Sequence, residues 1–164
     1  MIERAIGGKL GAMIRVQDKA FDAPAELRQF QAANRSSGAT VMFIGSVREM
    51  SEGSRIEGMT LEHYPGMTEK ALCEIEAEAL QRWPLEASLI IHRHGRLEPG
   101  DDIVLVITAS AHRQAAFEAC SFLMDWLKTK APFWKLEESA GTKRWVDAKD
   151  QDDEAARRWD RRQH

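Results

Sequence analysis

Apolar and polar residues alternate in short stretches and then switch to spacings of three and four, each switch marking a change from strand to helix. Alternation begins at Met13-Ile14-Arg15-Val16-Gln17. Residues 1–12 hold three glycines and little periodicity, and read as a loose leader. Pro24 to Ala33 predicts a helix with Leu27 and Phe30 inward, and the apolar run Gly38 to Gly45 predicts a buried strand. Ser46 to Arg55 is polar and reads as a mobile loop. A strand at Met59 to His63 leads through the Tyr64-Pro65-Gly66 turn into a helix with Leu72, Ile75 and Ala79 along one side, closed by Trp83-Pro84. Its glutamates read as a solvated face.

Ala87 to His94 and Ile103 to Ala109 predict two strands, and the turn sequence Glu98-Pro99-Gly100-Asp101-Asp102 between them favours antiparallel pairing. A long helix then starts with Ser110 as N-cap, buries Ala116, Ala119, Cys120, Leu123 and Leu127, and stops near Pro132. Trp134 to Glu138 and Lys143 to Val146 form a last hairpin. Asp152 to Arg162 forms a terminal helix, acids first and arginines last, matching its dipole. The predicted class is α+β: a mixed, largely antiparallel sheet packed with helices, with residues 13–164 as a single domain.

Composition narrows the function classes. A chain of 164 residues can bury roughly 70% of its unfolded surface as one domain. With 43% hydrophobic and 30% charged residues, a net charge of −3 and a pI near 6.0, it lacks the general basic charge of a nucleic-acid coat. Arg157, Arg158, Arg161 and Arg162 on a short terminal helix are weak grounds for nucleic-acid binding. No apolar run is long enough for a membrane helix and no secretory core precedes a cleavage site, so a cytoplasmic location is expected. Cys73 and Cys120 lack redox or zinc spacing and read as buried thiols.

Candidate chemistry concentrates in Leu127-Lys128-Thr129-Lys130-Ala131-Pro132-Phe133-Trp134-Lys135, where lysines bracket two large rings. An amine desolvated beside Phe133 and Trp134 can act as nucleophile or proton shuttle; alternatively the lysine stems lie on the rings with their heads in water. Ser110-Ala111-His112-Arg113 places His112 and Arg113 in a first helical turn, an awkward position for cations unless an anion joins them. Both side chains pointing away is the other reading. Arg48 projects a charge where a strand becomes a loop, a frequent site position and equally an ordinary surface one. His92 and His94 share a strand face without a third ligand, so no metal or other cofactor is expected. Glu62 and His63 point to opposite faces and form no dyad.

Taken together, Phe43-Ile44-Gly45-Ser46-Val47-Arg48, Leu61-Glu62-His63-Tyr64-Pro65-Gly66-Met67, Ile91-His92-Arg93, Ser110-Ala111-His112-Arg113 and the Leu127–Lys135 segment resemble the large, catalytic subunit of molybdopterin synthase. The resemblance runs from about Met13 to Trp159 and leaves out the leader and His94. It implies a hammerhead-like α/β core with a small additional sheet. It also implies an enzyme that inserts two dithiolene sulfurs into cyclic pyranopterin monophosphate, the sulfur supplied by the C-terminal Gly-Gly thiocarboxylate of a small ubiquitin-like subunit. On matching positions Lys128 and Lys135 become catalytic, and Arg48, His112 and Arg113 bind the substrate and its phosphate. Lys149 stands where a basic residue is expected near a pocket shared between two large subunits. The implied assembly is a heterotetramer built on a homodimer of this chain. A non-catalytic adaptor that merely docks the ubiquitin-like partner, with Phe133 and Trp134 as anchors, is the rival reading.

Overall fold

The computed structural model describes residues 4–5, 12–146 and 150–160. In chain order the elements are β1 (Arg4–Ala5), β2 (Ala12–Gln17), α1 (Ala23–Ala33), β3 (Ala39–Ser46), β4 (Met50–Ser51), β5 (Ser54–Arg55), β6 (Gly58–His63), α2 (Met67–Arg82), β7 (Leu85–Arg93), β8 (Gly95–Leu97), β9 (Asp102–Ser110), α3 (Arg113–Lys130), β10 (Phe133–Ser139), β11 (Thr142–Val146) and α4 (Asp150–Arg157). A five-stranded sheet has the order β1-β2-β7-β9-β3, and a four-stranded sheet the order β11-β10-β6-β8. β2 runs parallel to β7; the other pairings are antiparallel. The α+β class, the mixed sheet and the additional small sheet match the sequence reading.

Strict alternation along β7 and β9 gives the large sheet two apolar faces. Leu89, Ile91, Leu105, Ile107 and Ala109 pack with Phe30 of α1 on one side. Ile90, Val104 and Val106 pack on the other with Leu72, Ile75 and Ala79 of α2 and Ala119, Cys120, Leu123 and Leu127 of α3. Each fully buried Leu or Ile adds roughly 1.5–3 kcal/mol, so these two layers carry the fold. The small sheet has its own cluster of Val47, Ile56, Met59, Leu61 and Leu97. Asp22 caps α1 through the Ala25 N–H at 2.9 Å. Gly66, at φ +85°, opens α2, and the Glu69 carboxylate accepts its N–H at 2.6 Å. Among the described residues no helix is long and apolar enough to cross a membrane.

Four expectations need correction. β3 is an edge strand, not a buried one: Met42, Phe43 and Ile44 are each at least 36% exposed. Residues 46–55 are not simply a loop, since β4 and β5 form a tight hairpin and Val47 is buried with its N–H on the Asp101 carbonyl at 2.8 Å. Ser110 does not cap α3. It ends β9, its hydroxyl donates to the Pro84 carbonyl at 2.9 Å, and His112 takes the N-cap position with Arg113 as first helical residue. The glutamates of α2 are not all solvated, because Glu76 is 6% exposed and bonded to the Ser88 hydroxyl. Of the leader, Arg4–Ala5 pair with Ile14 and Met13 of β2. The terminal helix spans Asp150–Arg157, and Arg161 and Arg162 lie outside the described residues.

Candidate active site

Pro132 disfavours helical backbone at Ala131, so α3 stops at Lys130 and the chain turns at once into β10. That turn sets Lys128 on the last turn of α3 and Lys135 on β10. Lys128 is exposed. Lys135 pairs in register with Leu61 and Val146 and is one-third exposed, its Nζ 3.1 Å from Glu137 Oε1. Glu137 is 6% exposed, also accepts the Ser51 hydroxyl at 3.3 Å, and has Arg144 Nη2 4.0 Å from its second oxygen. Phe133 and Trp134 do not form one wall around an amine. Successive strand residues point to opposite faces, so Phe133 stacks on His92 at 3.7 Å while Trp134 lies half-exposed near Tyr64. Lys130 rests over the Trp126 ring at 4.2 Å.

Topology decides which site residues can meet within one chain. β3 runs from Ala39, opposite Ser110, to Ser46, opposite Asp102. α3 follows β9 after two residues and returns across it, anchored by the Thr108 hydroxyl on the Ala116 carbonyl at 2.8 Å. Arg48, just beyond β3, therefore shares an end of the large sheet with the C-terminus of α3 and Lys128. β8 and β10 flank β6, and β8 follows directly on β7, whose His92 is opposite Val104 near the start of β9. This brings Lys135 to that same end. His112 and Arg113 sit at the other, exposed, beside the start of β3. Fifteen residues of α-helix separate Arg113 from Lys128 by roughly 22 Å. The topology thus places Arg48, Lys128 and Lys135 toward one end of the large sheet and His112 and Arg113 toward the other. Lys149 lies outside the described residues.

Three imidazoles converge on the same end. His63 ends β6, His92 nearly ends β7, and His94 precedes Gly95, which has φ +84°. The His63 and His94 ring centroids are 4.4 Å apart. His92 donates from Nδ1 to the Arg93 carbonyl at 2.8 Å, because a carbonyl can only accept. Burial pushes the His92 pKa down to about 4, and it lowers that of His63, with His94 adding repulsion. Among the described residues no group of His, Cys, Asp or Glu has the geometry of a metal site. Cys120 is buried and its thiol is pushed up to about 11 by desolvation; Cys73 is half-buried against the core.

Residues 16–130 match the family model described as "MoaE protein". The chain belongs to this family. It is 58% identical over 147 residues to the molybdopterin synthase catalytic subunit of Pseudomonas aeruginosa, a match covering 90% of this chain and 98% of that one. Against the catalytic subunit of Vibrio cholerae it is 50% identical over 147 residues, covering 90% and 97%. Among solved structures it resembles molybdopterin cofactor biosynthesis protein E from Burkholderia multivorans, with TM-score 0.77, 49% identity and coverage of 92% and 97%. It also resembles molybdopterin synthase from Staphylococcus aureus, with TM-score 0.74, 30% identity and coverage of 81% and 96%.

Sequence reasoning passed over two groups in this MoaE chain. Glu137 carries a signal that period-2 reading could have used, since it lies two residues from Lys135 and so shares its face. The junction of His63 with His92 and His94 had no such signal, because it joins the ends of strands far apart in sequence.

Proposed function

We propose that this MoaE-family chain is the catalytic subunit of a molybdopterin synthase. It moves two sulfurs from the C-terminal thiocarboxylate of a small ubiquitin-like subunit onto cyclic pyranopterin monophosphate, producing the dithiolene of molybdopterin. The observation that carries this reading is 58% identity to a named catalytic subunit along nearly the full length of both chains. The gathering of Lys128, Lys135 and Arg48 at one end of the sheet supports it.

In each transfer the thiocarboxylate sulfur forms a C–S bond to a side-chain carbon of the pterin as that carbon's C–O bond breaks, the oxygen leaving on the phosphate in one transfer and as water in the other. The acyl–sulfur bond then breaks as water adds at the acyl carbon, and the partner leaves with an ordinary carboxylate. Lys128 approaches the acyl carbonyl. Lys135, held by Glu137, stabilises charge or transfers a proton as sulfur attacks. Arg48 steadies the anionic substrate, while His112 and Arg113 come from the second copy of a homodimer and receive the phosphate beside backbone N–H groups at the start of α3. Lys149 is a further contact to the substrate in this shared pocket. The 22 Å reach of α3 supports a shared site. The open β3 edge with exposed Met42, Phe43 and Ile44 supports pairing of two copies. Small subunits at the two outer ends complete a heterotetramer, and the reaction belongs in the cytoplasm.

The test is to incubate the protein with a thiocarboxylated small subunit and the pterin precursor and to follow dithiolene product. Product that disappears in Lys128→Ala and Lys135→Ala supports the proposal. Tight binding of the small subunit without turnover would instead mark an adaptor.

A further inference from the structure

We infer that His63, His92 and His94 form a neutral-imidazole clamp that seats the Phe133 end of β10, and so positions Lys135, until protons release it. This deepens the catalytic reading, because it concerns the regulation of the strand that carries Lys135.

The geometry is a chain of rings. His94 lies 4.4 Å from His63, His63 lies 6.2 Å from Phe133, and Phe133 is stacked on His92 at 3.7 Å with only 16° between ring planes. Phe133 and His63 are also register partners between β10 and β6. The cluster therefore ties together β6, the end of β7, its link to β8, and β10. Lys135 is two residues beyond Phe133 on the same face of β10. Pro132 precedes Phe133, and the Phe133 N–H turns back to the Ala131 carbonyl at 2.9 Å. The start of β10 thus leans on these rings.

Charge on this cluster is costly, because His92 is buried and the His63 and His94 rings face one another at 4.4 Å. Among the described residues the Nδ1 of His63 is buried without a hydrogen-bond partner, so no acceptor stands ready to stabilise a proton there. The charged groups facing the cluster are few. Glu69 of α2 attracts a proton to His63, whereas His94 repels one from both His63 and His92. Arg93, next to His92, is turned to the Asp18 and Asp102 carbonyls. Lys135 on β10 is engaged by Glu137. Protonation puts like charges on adjacent rings, and parting them frees Phe133.

Amide hydrogen exchange of the full chain tests this without substrate or small subunit, so the clamp can fail while the catalytic reading stands, and the reverse. The exchange of the Phe133–Leu136 amides is compared with that of β9 amides between pH 7.5 and 5.5. The expected result is a relative acceleration on lowering pH, approaching about tenfold per pH unit for each proton taken up on opening. In His94→Gln one repelling ring is gone, so less proton uptake accompanies opening and the acceleration becomes shallower. His92→Phe keeps a stacking ring that cannot titrate and flattens it further. If β10 amides follow those of β9 at every pH, or if His94→Gln reproduces the parent profile, the clamp is overturned.

Discussion

Lys135 Nζ lies 3.1 Å from the buried carboxylate of Glu137, which makes this glutamate the residue that aims the amine. Glu137→Gln keeps the shape and removes the charge. Because Lys135 is one-third exposed and glutamine still fills the site and can hydrogen-bond, the substitution should cost about 1 kcal/mol and move the melting temperature by only about 2–4 °C. Product formation, by contrast, should fall by about tenfold to a hundredfold, the scale expected for a misplaced catalytic group. Calorimetry and a single-turnover assay on the same sample check this, and unchanged turnover would remove Glu137 from the mechanism.

Glu76 should make stability depend on pH. Burial raises its pKa to about 7, from 4.5, while Ser88 and the Met13 backbone partly offset the shift. The folded chain keeps this proton up to about pH 7, whereas the unfolded chain loses it near 4.5. Stability therefore declines as pH rises between those values, by on the order of 3 kcal/mol. His92 acts with the opposite sign: its folded pKa of about 4 means that stability is lost as pH falls from 6.5 toward 4. The two trends offset one another in the parent protein. Glu76→Gln should stabilise at pH 8 much more than at pH 5 and leave a steeper acid loss behind, as read by urea titrations at both pH values. Equal effects at pH 5 and pH 8 would refute the assignment.

Asp125 fastens the C-terminal segment. Its Oδ2 accepts the Trp159 indole N–H at 2.7 Å and an Arg158 N–H at 2.6 Å, while Arg82 donates to the Trp159 carbonyl at 2.9 Å. Trp159 is 3% exposed and meets Trp83 and Phe122 edge-on. Asp125→Ala removes the acceptor shared by the Trp159 indole and Arg158 and should cost about 1–3 kcal/mol. Limited proteolysis should then cut earlier in the α4 region than in the core, and an unaltered digestion pattern would count against the clasp.

A mixed dimer tests the shared pocket. Arg113→Ala and Lys128→Ala should each abolish most activity alone. Co-expressed chains carrying one substitution each should recover about one working site per mixed dimer, because each chain supplies what the other lacks. No recovery in purified mixed dimers would confine the site to a single chain.

The apolar pattern carried most of the fold because the layers on β7, β9, α2 and α3 are set by local period. Leu72, Ile75 and Ala79, and likewise Ala116, Ala119, Cys120, Leu123 and Leu127, are all buried as their spacing requires. The pattern fails where neighbours decide. Met42, Phe43 and Ile44 look like a core strand, yet among the described residues β3 has a partner on only one side. Ser110 has the chemistry of a cap, but the Pro84 carbonyl claims its hydroxyl. Glu76 looks like its solvated neighbours until α2 is laid against Ser88. At the candidate site, the motif order brought out Lys128, Lys135, Arg48, His112 and Arg113. Their division between two ends of the sheet became clear only from the pairing of β3 with β9.

That edge strand has a practical consequence. Among the described residues no strand pairs with the outer edge of β3, so its backbone groups, flanked by exposed Met42, Phe43 and Ile44, are a template on which stray chains can add. A substitution that keeps two copies from pairing through this edge should therefore make the chain more prone to aggregate. In the proposed homodimer, covering this edge would protect solubility as well as complete the shared pocket.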